Sequence, residues 1–145
     1  MKLSLIEIHF DGGCKPTNPG NKYGSFEVLF KLPKKSLQTL FKASRIELGY
    51  GTSNEAEFDS LIEALKWTTS NLAIAGLNPN IFTLKIYTDS QILQRRLNLN
   101  ITTSKSEAQK RMSALSATCH VYLSVFRSWN VNWRQREANL KRFGH

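Results

Sequence analysis

Three carboxylates in this 145-residue chain fall where chemistry is possible. Asp11 follows the strand-like run IEIHF and opens the turn-rich stretch DGGCKPTNPG. Glu57 lies in the first turns of a helical pattern that begins at Thr52-Ser53-Asn54. Asp89 follows a second strand-like run, FTLKIY, inside Thr88-Asp89-Ser90. If the two strands are neighbours, Asp11 and Asp89 share one edge of a sheet, and a helix starting there brings Glu57 to them. Oxygen ligands so grouped suit Mg²⁺ or Mn²⁺. Without a cation their mutual repulsion is costly. Each residue also has a purely structural reading. Asp11-Gly12 can be a turn, Asp89 can cap the next helix, and Glu57 can close a capping box with Ser53 or Asn54. Glu55, Asp59 and Glu63 read as first-turn charge or solvated helix face.

The elements that must position these groups follow from periodicity. Residues 3–10 alternate apolar and polar, which predicts a strand ending at Asp11. Residues 23–32 and 37–50 predict two more, separated by a turn at Pro33-Lys34-Lys35, as an antiparallel meander. The period then changes: Phe58, Leu61, Ile62 and Leu65 predict a helix. Residues 82–87 predict a fourth strand, and a short helix is expected through Leu97. Met112, Leu115, Cys119, Tyr122 and Phe126 mark a longer helix over residues 106–127. Residues 131–133 predict a fifth strand, followed by a short helix-capable tail. The order βββ-α-β-α-α-β predicts one α/β domain over residues 1–145 with a mixed sheet.

The net charge of +9, from 20 Lys and Arg against 11 Asp and Glu, favours a polyanionic partner. The composition, 41% hydrophobic and 21% charged, is that of a soluble globular protein. Two cysteines make no disulfide framework, and neither a signal peptide nor a membrane-length apolar run is present in the sequence. A cytoplasmic location is expected.

Taken together, DGGCKPTNPG, TSNEAEFDSLIEAL and YTDSQ resemble the motifs of the ribonuclease H type 1 family in content, order and element type. The resemblance spans roughly residues 5–136. It implies a ribonuclease H-like fold, a five-stranded mixed sheet (three antiparallel strands, then two parallel) flanked by helices. It implies an endonuclease that hydrolyses the RNA strand of RNA–DNA hybrids with two divalent ions, Mg²⁺ or Mn²⁺, leaving 5′-phosphate and 3′-hydroxyl ends. By position, Asp11, Glu57 and Asp89 would be the catalytic, metal-binding carboxylates, with the Gly12 backbone beside them. Gly13, Cys14, Asn18, Ser53, Asn54 and Gln91 would face the nucleic acid. Ser53 replaces the family's usual asparagine and keeps a donor and an acceptor. The resemblance also implies a monomer and no membrane partner.

The tail departs from the pattern. The family carries a fourth aspartate in a C-terminal helix, and this chain has none after Asp89. Aligned without gaps, Phe143 takes its place; with a shorter loop, Asn139 does. Asn139 is the preferred stand-in because an amide oxygen can ligate a metal. Glu137 is a further candidate. The loop histidine of many members is missing, and His145 reaches the site only if the tail folds back. His120 reads as structural and His9 as a sheet-surface residue. Residues 98–110 are too short for the basic protrusion that some members carry. Lys15, Lys22, Lys105, Lys110, Arg111, Arg134 and Arg136 are then candidates for gripping substrate. Trp129 and Trp133 could stack on bases but read as core beside a strand. The lost carboxylate keeps a second reading open, a weak or inactive hybrid-binding module. A resolvase- or transposase-like core is a third, opposed by the N-P-G turn and the T-S-N-x-x-E box.

Overall fold

In the computed structural model, residues 4–31, 36–99 and 106–144 are described. The turn expected at residues 33–35, His145 and residues 100–105, the middle of the segment expected to lack a protrusion and the place of Lys105, lie outside them. The elements are β1 (Ser4–Lys15), β2 (Gly20–Lys31), β3 (Gln38–Gly51), α1 (Ser53–Ile74), a 3-10 turn (Pro79–Ile81), β4 (Phe82–Thr88), α2 (Gln91–Leu99), α3 (Glu107–Leu123), β5 (Ser128–Trp133) and α4 (Arg136–Phe143). The sheet order is β3-β2-β1-β4-β5. β1 and β3 each pair antiparallel with β2, while β4 pairs parallel with β1 and β5. The expected mixed sheet is borne out.

Alternation along the strands sorts the two faces. Ile6, Ile8 and Phe10 of β1 are fully buried and join Val28, Leu84 and Ile86 in a core closed by Phe58, Leu61 and Leu65 of α1. Leu93 and Leu97 of α2 and Cys119 and Leu123 of α3 complete it. Burial of each such aliphatic or aromatic side chain contributes roughly 1.5–3 kcal/mol. The odd-numbered β1 residues Glu7, His9 and Asp11 point to the other face.

Four boundaries differ from expectation, among them the start of β2, at Gly20 rather than residue 23. β1 does not stop at Asp11. It runs on to Lys15, because the Gly-Gly-Cys-Lys segment pairs with β2 as far as Lys15↔Asn21. Its pairing with β4, however, ends at His9↔Tyr87. Asp11 therefore stands at an edge on one side only. α3 ends at Leu123 rather than near residue 127, as the chain turns so that Arg127 N–H can donate to Phe82 O at 3.1 Å. That bond starts β5 three residues early, at Ser128, where Ser and Asn on an open face hid the alternation.

His9 is also corrected. It lies on the sheet face, but it is buried, stacked on Tyr87 at 4.7 Å and bonded to Glu7 Oε1 at 2.5 Å. His120 is structural as read, its Nε2 lying 3.0 Å from Leu97 O. No helix among the described residues is long and apolar enough to cross a membrane.

Candidate metal centre and nucleic-acid cleft

Each structural reading of the three carboxylates fails on geometry. Asp11-Gly12 is no turn: the two residues pair with Ser25 and Gly24 inside the β1–β2 ladder. The capping box of α1 uses Thr52 and Glu55. Glu55 N–H donates to Thr52 Oγ1 at 3.2 Å, and Thr52 N–H donates to Glu55 Oε1 at 3.1 Å. Glu57 is thus released from capping and sits on the next face of the turn. Leu93 N–H donates to Ser90 Oγ at 3.1 Å, so Ser90 rather than Asp89 caps α2.

What remains is convergence. One oxygen each from Asp11, Glu57 and Asp89 lies within 4.8 Å of the others. Gly12 permits it: a β-carbon there would stand 2.5 Å from Ala56 C and O and 2.7 Å from Glu57 N. With only a hydrogen on Gly12, β1 presses against the first turns of α1, and Glu57 arrives beside Asp11.

The electrostatics are those of buried carboxylates crowded together. Asp11 is pushed up to about 6, by burial first and then by Asp89. Gly12 N–H, which donates to Asp11 Oδ1 at 3.0 Å, and Arg136 offset this in part. Glu57 is held well above the usual carboxylate range by burial, then by Asp11 and Asp89. Glu57 Oε2 is buried without a hydrogen-bond partner. An unsatisfied buried carboxylate oxygen costs on the order of 1–3 kcal/mol or more. A hard divalent cation would satisfy it and neutralise the cluster, so the donor set fits Mg²⁺ or Mn²⁺.

The carboxylates open onto a cavity of about 510 Å³ lined by Gly12, Ser53, Asn54, Glu57, Asp89, Ser90, Gln91, Ile92, Trp133 and Arg136. Ser53, Asn54 and Gln91 are therefore where a ligand over the carboxylates would meet them. Gly13, Cys14 and Asn18 do not line the cavity. Asn18 instead ties the β1–β2 loop to α1: its Nδ2 donates to Ser53 Oγ at 2.8 Å, and its Oδ1 accepts from Ser53 N–H at 3.2 Å. A β-carbon on Gly13 would meet the Tyr23 hydroxyl at 2.7 Å.

The tail forms a true helix. In α4, Asn139 is buried and its Nδ2 donates to Phe10 O at 3.5 Å, one residue before Asp11. Phe143 is buried beneath Lys42, next to the Arg142–Glu27 ion pair, and its ring offers no metal ligand. Of the cations considered for grip, Lys22 pairs with Asp59, Lys110 with Glu107 and Arg111 with Glu55. Arg134 lies over the Tyr87 ring at 3.9 Å and Lys15 over Tyr23 at 5.4 Å. Among the described residues, Arg136 alone of that group lines the cavity.

Sequence reasoning missed Ser90 and Ile92 and misplaced Trp133, which is 43% exposed rather than core. Its position was the available signal: it ends β5 directly beside Thr88.

No protein-family model and no curated protein matches the chain. Solved structures do. The N-terminal RNase H domain of a Mycobacterium tuberculosis protein, solved as a fusion with maltose-binding protein, aligns with a TM-score of 0.70 at 21% identity, over 93% of this chain and 90% of that one. RNase H1 from the halophilic archaeon Halobacterium salinarum aligns at 0.68 and 21% identity, over 93% and 89%. An RNase H1 isolated from compost by a metagenomic approach, solved in complex with an RNA/DNA hybrid, aligns at 0.62 and 20% identity, over 94% and 89%. The chain has the ribonuclease H fold.

Proposed function

We propose that residues 1–145 form one ribonuclease H type 1 domain, an endonuclease that hydrolyses the RNA strand of RNA–DNA hybrids. The observation that carries this is the convergence of Asp11, Glu57 and Asp89, with Glu57 Oε2 unsatisfied, at the floor of a cleft walled by Ser53, Asn54 and Gln91. A solved structure of the same fold holds an RNA/DNA hybrid.

Asp11, Glu57 and Asp89 would hold two divalent ions, Mg²⁺ or Mn²⁺, with Asn139 at the fourth position. The chemistry such ions supply is activation of water and neutralisation of charge on the phosphate and leaving oxygen. The chain's own groups do the rest. Gly12 N–H holds one oxygen of Asp11, and α1 delivers Glu57 at a fixed height above the sheet. Asn139 commits its N–H to Phe10, leaving the amide oxygen as its ligating end. Ser53, Asn54 and Gln91 offer donors and acceptors matched to 2′-hydroxyls and base edges in a wide, shallow minor groove. Hydrolysis on this plan leaves 5′-phosphate and 3′-hydroxyl ends. Two free cysteines fit a reducing, cytoplasmic setting, and we take the working unit to be a monomer.

The neutral, buried Asn139 supports a second reading, a hybrid-binding module with weak or no turnover. A gel assay on a labelled hybrid, beside duplex RNA and duplex DNA, with Mg²⁺ and with Mn²⁺, separates the two. RNA-strand cutting confined to the hybrid supports the nuclease. Binding without cutting in either metal supports the module.

A further inference from the structure

The cleft lining holds two chemically different sets of side chains. The hydroxyl and amides of Ser53, Asn54 and Gln91 are polar, whereas Ile92 and Trp133 are apolar, and Arg136 lines the same cavity. Trp133 is the last residue of β5, paired with Thr88 and so adjacent to Asp89. Its Nε1 donates to Asp89 O at 3.2 Å, which fixes the indole to the backbone of a cluster carboxylate. Trp133 as a residue nonetheless remains 43% exposed, and Ile92, in the first turn of α2, is 47% exposed. Binding a metal ion and a phosphate gives no use to an open apolar wall. A flat aromatic that lines a cleft with its polar tip satisfied and much of its surface open suits a ring-shaped partner.

Resting on the nuclease reading above, we infer that Trp133, backed by Ile92, is a substrate-binding residue. Its indole packs on the base or sugar of the nucleotide flanking the phosphate that the carboxylates engage, with Arg136 placed to meet a backbone phosphate. Aromatic contacts of this kind tolerate sequence, because every base has a π-face, and are lost on truncation of the ring.

The test uses the full chain and two variants. Binding of a short labelled RNA–DNA hybrid is measured in Ca²⁺ by anisotropy, and turnover in Mg²⁺. Trp133→Leu is expected to weaken hybrid binding ~10-fold and to raise KM more than it lowers kcat. Trp133→Phe keeps a ring but cannot donate to Asp89, and is expected to recover most of the affinity. Wild-type affinity in Trp133→Leu overturns the inference. So does a fall in kcat alone in both variants, the mark of an indole that merely steadies Asp89. If Trp133→Leu does not fold, fluorescence decides: hybrid should quench wild-type tryptophan emission, and Trp133→Phe, which retains Trp67 and Trp129, should lose that quench. An equal quench in both overturns the inference. Wild-type cutting with an unaffected Trp133→Leu defeats this inference alone, whereas a wild type that neither binds nor cuts hybrid defeats the nuclease reading and this with it.

Discussion

Gly12 and Ala56 are in backbone contact: a β-carbon at residue 12 would lie 2.5 Å from both the carbonyl carbon and oxygen of residue 56. Neither partner is a flexible side chain, so nothing local can yield. Gly12→Ala should push α1 away from β1 and carry Glu57 out of the cluster. We expect a loss of about 3 kcal/mol, the upper end of the range for overpacking. Metal binding should fall with it. Denaturant melts and metal titration check both, and a stable variant with unchanged metal affinity refutes the placement.

Asp11→Asn should abolish hybrid cleavage while leaving hybrid binding largely intact. It also removes one of three like charges from a buried cluster, so the metal-free variant should melt a few degrees above the metal-free wild type, on the order of 4 °C per kcal/mol. Undiminished turnover would remove Asp11 from the metal assignment.

The cluster gives stability a definite sign with pH. Asp11 is raised from 3.8 to about 6, so its contribution is full below about 3.8 and is lost as pH rises through about 6. Glu57, raised well above its ordinary value by burial and by Asp11 and Asp89, acts with the same sign. His9, whose pKa burial lowers, works in the opposite direction as pH falls through 6.5 and below. Comparing wild type with Asp11→Asn isolates the carboxylates. Metal-free wild type should lose stability relative to the variant between pH 4 and 7, and saturating Mg²⁺ should reverse the order. Binding of the metal should release protons near pH 6 and weaken about tenfold per pH unit for each proton displaced. Calorimetry in buffers of different ionisation enthalpy reads that directly.

Asn139→Asp separates the two readings of the tail. The carboxylate cannot donate to Phe10 O, and it adds a fourth negative charge, so the metal-free protein should lose about 1–3 kcal/mol. With Mg²⁺ present the variant should regain that stability and need about tenfold less metal for half-maximal cutting. No gain in metal affinity, together with loss of activity in a Glu137 variant, would move the fourth position to Glu137.

The three carboxylates were legible because each sits at a change of period or a turn signal that sequence displays. The strand that carries Asp11 was less so. Gly-Gly-Cys-Lys has no alternation of its own and is strand only because β2 lies alongside it. Asn139 and Phe143, four apart on α4, share its buried face, so burial alone does not choose between them; the bond from Asn139 to Phe10 O, a long-range contact, is what places Asn139 beside Asp11. Trp133 misled for the opposite reason. A tryptophan ending a strand is ordinarily covered, and here the residue stays 43% exposed.

Asp11 and Asp89 each stand two residues past the last parallel pair, His9↔Tyr87. Their separation is therefore copied from the spacing of two hydrogen-bonded strands, about 4.8 Å, rather than set by side-chain packing. The sheet serves as a ruler for the ligand gap. Apolar residues beneath it can be exchanged during evolution without detuning that gap, so the site can outlast most of the sequence around it. Inserting or deleting a single residue in β1 or β4 would instead turn one aspartate to the opposite face and erase the site in one step.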